Sequence, residues 1–125
     1  MTRVAVLDRI VLEIRAGTKG DEMSVMMGLR ITGDPARIEQ TLNGDPDRLK
    51  RIGQRAKDAG CIHHRFFANE AGGEVLIVDE WPDAASFLRF FEESAPDVGP
   101  MMAEAGVTER PTPVFWRELD TADKF

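Results

Sequence analysis

The stretch CIHHRFFANEAGGEVLIVDEWPDAASFLRFF, residues 61–91, decides the fold. Two runs rich in β-branched and aromatic residues flank a Gly-containing loop from Asn69 to Gly73, the pattern of a β-hairpin. Directly after the second run, Asp83 supplies an N-cap. Phe87, Leu88 and Phe91 then recur at helical spacing, in a helix expected to stop near Pro96. Downstream, GPMMAEAG reads as a further short helical piece and PVFWREL as a last strand. Upstream, SVMMGLRIT places Val25, Met27, Leu29 and Ile31 on one face, the period-two pattern of a half-buried strand.

Between that strand and the hairpin, Gly-Asp-Pro-x-Arg occurs twice, eleven residues apart. A phosphate-binding repeat would look similar, but helix chemistry explains both copies. Asp34 and Asp45 can accept from free backbone N–H groups as N-caps, and Pro35 and Pro46 occupy the first helical position, where no N–H is needed. An aspartate already at a helix N-terminus also repels a phosphate. Leu49, Ile52 and Ala56 form the apolar stripe of the longer helix, which Gly60 ends. The order is β-α-β-β-α-β. The economical architecture is α+β: a ferredoxin-like, split β-α-β-β-α-β unit, its four-stranded antiparallel sheet covered by helices on one face. Residues 1–22 stand apart as an N-terminal appendage with helical spacing of Val4, Leu7, Ile10, Val11 and Ile14, residues 23–120 form the domain, and 121–125 a polar tail.

With 125 residues, 42% hydrophobic and 30% charged, the chain suits one domain with an apolar core. Asp8, Arg9, Glu13 and Arg15 interrupt the one long apolar candidate, which excludes a membrane span and a secretory h-region there. A single cysteine, Cys61, cannot close an intramolecular disulfide, consistent with a reducing cytoplasm. The net charge of −6 argues against nucleic acid and for a neutral or cationic small molecule, or another copy of the chain, as partner. No Gly-rich dinucleotide loop, zinc-type ligand cluster or Ser-His-Asp arrangement is present, so no cofactor and no metal is expected.

VDEWPDAASFLRFF, with the strand AGCIHHRF that follows the first helices, resembles the antibiotic-biosynthesis-monooxygenase-like (ABM-like) branch of the dimeric α/β-barrel superfamily. The likeness spans about residues 23–120. It implies a homodimer whose two sheets pack face to face into a barrel, each protomer keeping a pocket between its own sheet and helices. Haem-degrading members use an Asn on strand one, a Trp within helix two and a His later in that region. Strand one here has no Asn, Phe90 and its neighbours occupy the helix positions, and VGPMM stands where the His would be, which argues against haem degradation. Cofactor-free quinol and polyketide monooxygenases commonly carry a histidine in that second helix, where this chain has Phe90 and Phe91.

The two histidines are adjacent, so strand alternation sends them to opposite faces and excludes a shared metal or substrate atom. His64 goes with Ile62 and Phe66 toward the pocket. His63 goes with Cys61, Arg65 and Phe67 toward the partner sheet. A register with Phe66 opposite Val78 sets His64 against Glu80 on the pocket face, and Arg65 against Asp79 and His63 against Trp81 on the interface face. In this reading His64 is a general base oriented by Glu80. Phe66, Phe87, Phe91 and Met101 line a site for a flat apolar ligand, and His63, Arg65, Asp79 and Trp81 belong to the dimer interface. Three functions remain open: a cofactor-independent, monooxygenase- or cyclase-like enzyme acting on a small aromatic or polyketide-like metabolite; a non-catalytic ligand-binding or stress-related module; or a purely structural dimer.

Overall fold

The computed structural model describes residues 23–125, and the expected appendage lies outside the described residues. β1 (Val25–Thr32) is followed by α1 (Pro35–Asn43) and α2 (Pro46–Asp58). The hairpin β2 (His63–Ala68) and β3 (Glu74–Trp81) comes next, then α3 (Ala84–Glu104) and β4 (Pro113–Arg117). The strands form one antiparallel sheet in the order β2-β3-β1-β4, the ferredoxin-like arrangement expected from the pattern.

All three helices among the described residues start as their sequences dictate. Asp34 accepts from the Ala36 N–H, Asp45 from the Arg48 N–H and Asp83 from the Ser86 N–H, so both Gly-Asp-Pro copies are helix caps. α3 departs from expectation by running unbroken through Pro96 and Pro100. Both prolines are exposed, so the Glu92 and Pro96 carbonyls that lose a donor lie on the water side. Two ion pairs strap α2 to α3: a bidentate Arg48–Glu104 pair at 3.0 and 3.1 Å and Arg55–Asp97 at 2.5 Å.

The core lies between the helices and one sheet face. Met27, Leu29 and Ile31 of β1 and Val75, Ile77 and Trp81 of β3 meet Ile38, Leu42, Ile52, Phe87 and Phe90 from above. Side chains on the other face, Met26, Phe67, Leu76, Val114 and Trp116, remain substantially exposed.

The hairpin register differs by one residue from the expected one. His63 opposes Glu80, His64 opposes Asp79, Arg65 opposes Val78 and Phe66 opposes Ile77. The loop decides this. Gly72 and Gly73 both adopt φ of +86°, a conformation that must stay within the turn. Asn69 closes it by accepting from the Ala71 N–H through its side chain and donating through its backbone N–H to the Glu74 carbonyl at 3.0 Å. Closure on Asn69 and Glu74 propagates to every pair. The opposite-charge pairs that favoured the other register are each worth only about 0.2–1 kcal/mol, too little to displace a loop built around two left-handed glycines.

Candidate functional site

His64 and Phe66 project from β2 onto the helix-covered face, and the one-residue register places Asp79, not Glu80, beside His64. The Asp79 carboxylate is 3% exposed and has a partner for each oxygen. Oδ2 accepts from the Trp81 indole N–H at 3.0 Å, and Oδ1 lies 2.7 Å from His64 Nδ1. An indole nitrogen can only donate, which fixes the direction of the first bond. With the carboxylate ionised, His64 Nδ1 must carry the proton in the second. The neutral imidazole therefore keeps its lone pair on Nε2, which no described residue engages. A T-shaped contact with Phe66, ring centroids 5.0 Å apart, holds the ring plane from the other side.

This imidazole stands in the wall of a cavity of about 1030 Å³ between the sheet and helices α2 and α3. The inner wall is apolar: Met27, Leu29 and Ile77 below, Phe87, Phe91 and Met101 above. Phe87 and Phe91 stack at 5.2 Å, and the Arg110 guanidinium sits 5.2 Å over the Phe91 ring, continuing the stack toward solvent. Cys61 also borders the cavity. Its thiol is pushed up to about 11 by partial burial and by the Asp79 charge, which makes it a poor nucleophile at neutral pH.

No protein-family model matches the sequence, and no curated protein matches it. Solved structures do match in three dimensions. A dimeric ferredoxin-like protein from an uncultured marine organism aligns over 86% of this chain and 97% of its own, with 13% identity and a TM-score of 0.61. An antibiotic biosynthesis monooxygenase aligns over 77% of this chain and 99% of its own, with 17% identity and a TM-score of 0.56. SnoaB, a cofactor-independent oxygenase from Streptomyces nogalater, covers 82% and 99% at 16% identity and a TM-score of 0.54. The chain has the ABM-like fold. At such identities the likeness carries the fold alone, and the chemistry must come from the side chains.

Within the ABM-like fold the remaining expected site residues separate by face. Phe66, Phe87, Phe91 and Met101 all line the cavity together with His64. Three assignments that depended on the register are corrected. Glu80 points to the open face, where it accepts from the Ser24 hydroxyl and lies 3.9 Å from His63 Nε2, so it cannot orient His64. Asp79 and Trp81 are not on the interface face. Trp81 is 0% exposed beneath α3, its ring 5.6 Å from Phe87 and 5.4 Å from Phe90. Arg65 opposes Val78 on the exposed side of the edge strand and makes no pair with Asp79. Ile62 does not continue the His64 face either, because β2 begins only at His63; Ile62 is half-exposed and Cys61 turns toward the core instead.

Sequence reasoning missed Asp79 as the partner of His64 because that pairing follows from the parity of the loop. It also passed over Lys50 and Lys57, which border the cavity from α2. Their seven-residue spacing, beside the Leu49–Ile52–Ala56 stripe, was the available signal.

Proposed function

We propose that this ABM-like domain, residues 23–120, is a cytoplasmic homodimer that binds a small aromatic or polyketide-like metabolite in the cavity and acts on it without a bound cofactor. His64 is the general base. The observation that carries the reading is the chain Trp81–Asp79–His64, which supports a proton on Nδ1 and a bare Nε2 on a cavity wall that is otherwise mostly apolar. A phenolic O–H or acidic C–H of the ligand loses its proton to Nε2, and its electron pair stays on the ligand. Asp79 balances the imidazolium that results. The phenolate or carbanion left behind is the species that reacts with dioxygen in a monooxygenase, or attacks a carbonyl of the same molecule in a cyclase. Dimerisation is supported by the apolar open sheet face and by the dimeric ferredoxin-like relative.

The test uses Asp79→Asn. The amide introduced by this substitution can accept from Trp81 through its oxygen only by offering its NH₂ to His64, which moves the imidazole proton to Nε2 and removes the base. Nitrogen-15 NMR of the His64 ring should show the neutral Nδ1–H tautomer in the native chain and Nε2–H in the variant. Turnover of polycyclic phenols, followed by oxygen uptake and product mass, should fall by about 100-fold or more with the tautomer change. A native Nε2–H tautomer, or equal turnover in both proteins, overturns the assignment. Binding without turnover leaves the binding-module reading.

A further inference from the structure

We infer that the ligand of the cavity carries an acidic group, held at the cavity mouth between Lys50 and Lys57 of α2. This rests on the reading of the cavity as a ligand site and names the chemical class it takes. The chain as a whole bears a net charge of −6, from which a neutral or cationic partner is expected. The cavity lining reverses that balance. Apart from Arg65, whose side chain belongs to the opposite sheet face, it carries the three cations Lys50, Lys57 and Arg110 against the two carboxylates Asp79 and Glu109. The Asp79 carboxylate is already hydrogen-bonded by His64 and Trp81, which leaves neither of its oxygens for a ligand.

The two lysines differ from Arg48 and Arg55 of their helix by being unpaired among the described residues, and from Arg51 by bordering the cavity. Arg48 and Arg55 are tied to Glu104 and Asp97, whereas neither Lys50 nor Lys57 lies within ion-pairing distance of a carboxylate among the described residues. Both are exposed and both border the cavity. Positions 50, 53 and 57 share one stripe of α2, and seven residues span about 10 Å along a helix, which the flexible stems of two lysines can close around a single anion. Gly53 lies between them. It stands in the interior of a helix, where glycine is unfavourable, and beyond its chain neighbours and its own helix backbone no atom comes within 4 Å of the place a Cβ would occupy. Packing does not account for that glycine. The gap it leaves, between two such cations and beside an apolar cavity, admits the head of an amphipathic ligand whose rings extend inward toward Phe66 and Phe87. A carboxylate, sulfonate or phenolate head fits this mouth, and the reacting O–H or C–H reaches His64 at the other end of the ring system.

Two dyes with nearly the same ring system separate the possibilities: the anionic 1-anilinonaphthalene-8-sulfonate and the neutral N-phenyl-1-naphthylamine, titrated by fluorescence. The native protein should bind the anion more tightly than the neutral dye, with an affinity that falls as sodium chloride is raised. Lys50→Gln/Lys57→Gln should weaken the anion by roughly threefold to fivefold per lysine, abolish most of its salt dependence and leave the neutral dye unchanged. Arg51→Gln/Arg89→Gln, which removes the same charge at exposed positions away from the cavity, should change neither dye. Equal binding of both dyes, or an anion affinity unmoved by the lysine substitutions, overturns the acidic-ligand inference while the cavity remains a ligand site. Failure of the native protein to bind either dye overturns the cavity reading and this inference with it.

Discussion

Replacing Trp81 by Phe removes the indole N–H that holds Asp79 while keeping an aromatic ring under α3. The cost has two parts. Phenylalanine is smaller by roughly 40 Å³, and at about 24 cal/mol per Å³ of unfilled space this contributes about 1 kcal/mol in a site that is fully buried. The Asp79 Oδ2 atom then loses its donor inside the core, which costs about 1–3 kcal/mol. Together they predict a loss of about 2–4 kcal/mol in urea unfolding followed by circular dichroism, with protomer concentration held constant so that any self-association contributes equally. The decisive comparison repeats Trp81→Phe in an Asp79→Leu background. There the carboxylate is gone, and the same substitution should cost about 1 kcal/mol or less. An equal loss in both backgrounds would refute the claim that Trp81 stabilises the fold through Asp79.

Gly53→Ala should raise stability by about 1 kcal/mol in the same assay, because the position is helical and a methyl group meets nothing within 4 Å beyond its chain neighbours and its own helix backbone. Cys61 should react with iodoacetamide at pH 8 at least about tenfold more slowly in the folded chain than in urea, since its thiol ionises only near pH 11. Its reactivity should rise as pH passes through that range, and Asp79→Asn should shift the rise to lower pH by removing a nearby negative charge. Trp116→Glu, at a residue 61% exposed on the open sheet face, should convert a dimer to a monomer in sedimentation equilibrium at micromolar concentration. A native chain that already sediments as a monomer would remove the interface from that face.

Local chemistry made most of the architecture legible in the sequence alone. The strand alternation of Val25 to Ile31, the Asp-Pro caps at 34–35 and 45–46 and the Asp83 cap depend on neighbours a few residues away, so they are written in the order of the chain. Strand alternation also separates His63 from His64 whatever surrounds them. Tertiary structure decided three things that local chemistry left open. The hairpin register turned on how two left-handed glycines fit between Asn69 and Glu74, and a single-residue change in that closure exchanged Glu80 for Asp79 beside His64. The continuity of α3 through Pro96 and Pro100 depended on which side of the helix met water. The charge around the cavity mouth depended on which cations of α2 found partners on α3, and no stretch of sequence contains that pairing. Caps and alternation involve groups within one or two turns of chain, whereas parity, exposure and ion pairing join residues that only the folded sheet and helices bring together.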